Sequence, residues 1–182
     1  MRIFLLCMLL IFVASCEEPF DPYLVSPTNI GYLTDSTKVS DLKLAFPTDS
    51  LATYIGGDEF TGQINDIDVY NSEGIKILSL TPFEALDSTS TIKTVRVLDD
   101  QFRTELGVSR SSRYSDIRSN YKISSVQNTI RHLIVSVDDI NAYFTIEKTE
   151  LPANMRYDMN LKIDPIQIPE NARIKDFFIQ WY

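Results

Sequence analysis

The sequence predicts an α+β fold: an antiparallel sheet with short helices packed on one face, built from two similar halves. Three observations lead there. The first is internal similarity. The run Thr37-Lys38-Val39-Ser40-Asp41-Leu42-Lys43, closing at Phe46, matches Ser112-Arg113-Tyr114-Ser115-Asp116-Ile117-Arg118, closing at Tyr121, at a constant offset of 75. Ile30-Gly31-Tyr32-Leu33 and Leu106-Gly107-Val108-Ser109 precede them at an offset of 76, one loop residue apart. The second is helical spacing: Val39, Leu42 and Phe46, like Tyr114, Ile117 and Tyr121, fall at i, i+3 and i+7 on one face. The third is strand alternation through most of what remains.

The chain begins with Arg2 and an uncharged apolar run over 3–14, the pattern of an export leader. About 12 residues span only about 18 Å as a helix, too short to cross a bilayer. The run ends Val13-Ala14-Ser15-Cys16, which resembles the lipobox of bacterial lipoprotein signals. That resemblance implies removal of residues 1–15 and a lipid, palmitate among its acyl chains, on Cys16. Residues 16–27 then read as a lipidated tether, since Pro19, Pro22 and Pro27 disfavour helix and give an extended spacer. Glu17-Glu18 resembles the acidic export tags of Bacteroidota-type lipoproteins, which implies the outer membrane, either surface-exposed or periplasm-facing.

The domain is expected over 28–182, with halves 28–102 and 103–182. In each half a glycine, Gly31 or Gly107, supplies a turn, and Thr37 or Ser112 sits where an N-cap hydroxyl belongs. Asp41 and Asp116 lie at helix starts, where negative charge meets the positive end of the dipole. Pro47 stops the first helix. Strands are expected over 64–70 and 75–80 around the loop Asn71-Ser72-Glu73-Gly74, then over 91–98, 132–137, 142–147, 159–163 and 174–182. The bridge over 48–62, with Gly56-Gly57, reads as a loop. The tandem signature resembles the helix-plus-sheet repeats of the β-lactamase-inhibitor protein and of BamE-type outer-membrane assembly lipoproteins, and that resemblance implies a binding role.

Chemistry is sparse. The formal charge of −8 argues against nucleic acid and against anionic membrane surfaces as partners. Of two cysteines, Cys7 is in the leader and Cys16 is the lipid acceptor, so the domain holds no thiol for a disulfide, a nucleophile or a metal. His132 stands alone in a strand-like run, where a structural role suits it best. No nucleophile elbow, phosphate loop, dinucleotide fingerprint or calcium loop is present, and no cofactor or metal is expected. Asp99-Asp100 and Asp138-Asp139 read as turns.

Two surfaces are candidates for binding. Arg103, Arg110, Arg113 and Arg118, with Ser111 and Ser112, gather beside a helix start, where they suit either an anion or surplus surface carboxylates. Tyr54 and Phe60 in the glycine-bearing bridge, with Tyr70, suit sugar or protein contact. The expectation is a membrane-anchored lipoprotein acting as a non-enzymatic binding or envelope-assembly module with a protein partner. The alternatives are an inhibitor or immunity-type lipoprotein, and, further off, a hydrolase using carboxylates such as Asp41 and Asp116.

Overall fold

Apolar and polar side chains alternate through eight segments, and those segments form one sheet. The computed structural model describes residues 20–53 and 66–182. A small sheet comes first, from β1 (Leu24–Val25), β2 (Asn29–Ile30) and β3 (Leu33–Thr34). A 3-10 turn at Val39–Asp41 runs into α1 (Leu42–Ala45). Then come β4 (Ser50–Thr53), β5 (Ile67–Tyr70), β6 (Lys76–Pro82), β7 (Ile92–Val97) and the short β8 (Arg103–Thr104). The second part holds α2 (Tyr114–Asn120), β9 (Ser125–Asn128), β10 (His132–Val137), β11 (Ala142–Glu147) and β12 (Asp176–Gln180).

The large sheet is antiparallel throughout, in the order β4-β5-β6-β7-β12-β11-β10-β9. Its register lines up one apolar row across all eight strands: Leu51, Val69, Leu78, Val97, Phe177, Phe144, Val135 and Val126. The six central members are fully buried. At the middle, Phe144 and Phe177 stack with ring centroids 4.7 Å apart. Leu42, Ala45 and Ile117 from the two helices, and Val25, Ile30 and Leu33 from the small sheet, join this same core. Both short helices therefore pack against the apolar side of the sheet.

The small sheet runs β3-β2-β1-β8, with β1 parallel to β8 and antiparallel to β2. Within the stretch 16–27 read as tether, Leu24–Val25 form β1 of this sheet. Val25 is 1% exposed, and the Pro27 carbonyl accepts hydrogen bonds from Trp181 Nε1 at 3.0 Å and Asn141 Nδ2 at 3.1 Å. A proline carbonyl remains a full acceptor, so a proline-rich stretch can be stitched into a fold without forming helix.

The expected hairpin is present: Gly74 has φ +76°, and Asn71 Oδ1 accepts from the amides of Glu73 and Ile75. Strand β4 lies within the stretch 48–62 expected as loop; residues 54–62 of that stretch, and the first two positions of the strand expected over 64–70, lie outside the described residues. Residues 159–163 form no strand. Met159 is 47% exposed, while Ile163 enters a second apolar cluster with Tyr114, Leu133, Ile146 and Met155. That segment is held instead by Asn128 Nδ2, which donates to the carbonyls of Asp158 and Leu161.

The hydroxyls expected as N-caps act one turn earlier. Thr37 Oγ1 accepts from the Thr34 amide at 2.9 Å, and Ser112 Oγ from the Ser109 amide at 3.0 Å, so each closes the turn ahead of its helix. The cap of α2 is Arg113, whose amide donates to Asp116 Oδ2 at 2.7 Å. Gly31 (φ +54°) and Gly107 (φ +79°) are left-handed. A Cβ on Gly31 would lie 2.2 Å from the Pro22 carbonyl oxygen, whereas one on Gly107 meets nothing within 4 Å. Gly107→Ala should therefore cost about 1 kcal/mol from backbone strain alone. Gly31→Ala should cost clearly more, and urea unfolding followed by Trp181 fluorescence will order the two; equal costs would remove the packing role of Gly31.

Candidate functional site

Period-2 geometry places a second row one residue along from the apolar one, pointing the opposite way. Across the strands it reads Ala52, Asp68, Ser79, Arg96, Phe178, Tyr143, Ser136 and Ser125. The helices and the small sheet belong to the apolar side, and all eight members of this row keep solvent exposure. This outward face is the candidate site.

Its centre is built from the β7–β12–β11 strands. Tyr143 and Phe178 stack at 4.6 Å with an interplanar angle of 11°. Because the two rings use their faces on each other, they stand on the sheet as a ridge and offer edges outward. The Arg96 guanidinium carbon lies 5.8 Å from the Phe178 ring centre, and Arg96 Nε and Nη2 both reach Asp176 Oδ1, at 3.1 and 2.5 Å. The other oxygen of Asp176 accepts from Thr145 Oγ1 at 2.9 Å. Arg96 is thus fixed over the aromatic ridge with 40% of its side chain exposed.

Two hollows flank the ridge. One, of about 260 Å³, is lined by Asp66, Asp68, Lys76, Ser79, Thr94 and Arg96 among others. Its acids are occupied: Asp68 accepts from Ser79 Oγ at 2.7 Å and pairs with Lys76 at 2.5 Å, and Asp66 accepts from Thr81 Oγ1 at 2.6 Å. The other, of about 560 Å³, lies beyond Tyr143 and includes Gln127, Ile134, Ser136, Gln180 and Tyr182. The face therefore offers an aromatic ridge with Arg96 fixed over it, flanked by a hollow holding the Lys76–Asp68 pair and by one lined by Asp138 and neutral hydrogen-bonding groups. No group of three His, Cys, Asp or Glu side chains among the described residues is placed to hold a metal.

Three of the arginines singled out by sequence have protein partners of their own. Arg103 pairs with Asp21 at 3.0 Å, and Arg118 with Glu170 at 3.5 Å. Arg113 Nη1 donates to the Asn171 carbonyl at 2.7 Å. Arg110 Nε is buried without a hydrogen-bond partner. Ser111 Oγ and Ser109 Oγ bond each other at 3.0 Å, and Ser112 closes its turn. Asp116 is engaged at the α2 cap, and Asp41 accepts from Ser40 Oγ at 3.1 Å. Tyr54, Phe60 and Cys16 lie outside the described residues.

Sequence reasoning passed over Arg96, Tyr143 and Phe178. Each sits at a solvent-side strand position where small polar residues are the ordinary choice, and three such departures on separate strands were the available signal. Only register brings them together.

No family model matches this chain, and no curated protein matches it. Among solved structures, the uncharacterized protein yfeY from Escherichia coli is similar, with a TM-score of 0.55 and 16% sequence identity, over 86% of this chain and 99% of that one. At that identity the likeness is one of fold.

The Tyr143 hydroxyl is held above the ordinary tyrosine range, first by burial and then by the nearby Asp176 charge, with Arg96 opposing. Tyr114 is raised as well, again chiefly by burial. A titration of tyrosine absorbance should show a late-ionising component that Tyr143→Phe diminishes. Since the folded chain resists this ionisation, its stabilising contribution is complete below about pH 10 and is lost as pH rises through the folded value. Tyr143→Phe should accordingly flatten the alkaline fall in stability, and an unchanged titration curve would refute the assignment.

Proposed function

We propose that this chain is a lipoprotein of the cell envelope, anchored through Cys16, that acts as a non-enzymatic binding or assembly module with a protein partner. The observation that carries the binding part is the outward sheet face. An eight-stranded sheet with its core on one side leaves a ridge of Tyr143 and Phe178, with Arg96 fixed beside it, on the side that nothing among the described residues covers. Aromatic and arginine side chains are the types enriched where protein partners bind most tightly. The leader and Val13-Ala14-Ser15-Cys16 support the anchor. No described helix is long and apolar enough to cross a membrane.

We further infer that the domain arose by duplication of a unit of helix plus four-stranded meander, with halves 28–102 and 103–182. Several paired features support this. The amides of Val39 and Ser40 donate to the carbonyls of Ser90 and Ser88, and those of Tyr114 and Ser115 to Ala172 and Glu170. The turn bonds of Thr37 and Ser112 correspond, and each meander runs from an outer edge strand inward, to β7 in one half and β12 in the other.

The anchor is tested with Cys16→Ser, which should abolish incorporation of labelled palmitate and release the protein from membranes; a variant that still sediments with membranes would end that reading. The binding face is tested with a photo-crosslinking residue in place of Phe178 or Tyr143, and in place of Tyr157, which is 85% exposed away from the ridge. The ridge positions should yield a discrete adduct in cells and Tyr157 none. Adducts of equal yield from all three would discard the face.

A further inference from the structure

We propose that the stacked pair Phe20 and Tyr32 is a membrane seat, which lays the small sheet onto the interfacial layer of the bilayer holding the acyl chains. The inference rests on lipidation of Cys16 as read above. Phe20 and Tyr32 are 54% and 60% exposed, yet their rings lie 4.3 Å apart at 33°, so two large aromatics are clamped together and presented to solvent. Tyr32 follows Gly31, whose left-handed turn packs against Pro22, and Asp21 is held by Arg103 at 3.0 Å. The pair is therefore mounted on fixed backbone at both ends. It borders a shallow hollow of about 1040 Å³ with Leu24, Thr28 and Asn29.

Chain length selects the occupant. Four peptide steps lead from Cys16 to Phe20, and at no more than about 3.6 Å each they hold the two within about 14 Å whatever their conformation. A lipidated Cys16 sits at headgroup level, so Phe20 and Tyr32 are within reach of the interface. Phe and Tyr suit that layer, the tyrosine because its ring is apolar and its hydroxyl stays wet. Asp35 and Glu105 line the same hollow, and Glu17 and Glu18 precede it. The contact is thus with the apolar boundary of the layer, and negative headgroups weaken it.

The test uses the full lipidated chain carrying Tyr32→Trp in phosphatidylcholine vesicles with brominated acyl chains, while mass measurement of the N-terminal peptide reports acylation. Trp181 is 3% exposed, and the unsubstituted chain supplies its background. With acylated protein, Tyr32→Trp emission should fall on bromination, since an aromatic at headgroup level lies beside the acyl chains. Tyr157→Trp should be unchanged, and added phosphatidylglycerol should reduce the Tyr32→Trp effect. Acylated protein without quenching at residue 32, or with equal quenching at 157, overturns the seat and leaves the anchor standing. Protein without acyl groups overturns both.

Discussion

The fold depends on the pairing of β12 with β7. It joins a meander drawn from the first half of the chain to one drawn from the second, through Phe177–Val97, Phe178–Arg96, Ile179–Val95 and Gln180–Thr94. The last strand in sequence thereby occupies the middle of the sheet. Both sides of the joint are furnished from these few residues. Inward, Phe177, Val97, Ile179 and Val95 are fully buried; outward, Phe178 and Arg96 form the ridge.

Magnitudes decide which side holds the joint. Loss of a buried phenylalanine such as Phe177 costs about 3–5 kcal/mol. A partly exposed ion pair of the Arg96–Asp176 kind contributes about 0.2–1 kcal/mol. The apolar row therefore supplies the stability, and the outward row is free to be chosen for what it meets. Arg96, held by Asp176, which is held in turn by Thr145, is fixed in place while supplying little of that stability.

The N-terminal segment is tied to the same joint from the other end of the chain. Pro27 receives Trp181, the residue that directly follows β12, and the Trp181 amide donates to the Lys93 carbonyl just inside β7. Residue 27 and residue 181 thus both close on the sheet's central pair, so the small sheet, the aromatic pair at residues 20 and 32 and the outward face form parts of one packed unit. The cost is a high sequence separation between partners, which slows folding relative to local hairpins.

Much of the local structure was legible from residue order. Val39, Leu42 and Phe46, the glycines at 31 and 107, the loop Asn71–Gly74 and the strands at 132–137 and 142–147 are determined by neighbours a few positions away, and period, left-handed turns and breakers report such neighbours directly. The cap hydroxyls misled because Thr37 and Ser112 can bond forward into the helix or back into the turn, and only the preceding backbone decides. The individual partners of the arginines, Asp21, Asn171 and Glu170, could not be read from residue order because they are remote in sequence. The outward row could not be assembled for the same reason: Asp68, Arg96, Phe178 and Tyr143 come from four strands, and register, which no local pattern encodes, makes them one surface. Residue order by itself determined which segments could be helix, strand and turn and that one side of the sheet had to be buried. Tertiary pairing alone decided which solvent-side residues stand together, because a face exists only once strands far apart in the chain lie side by side.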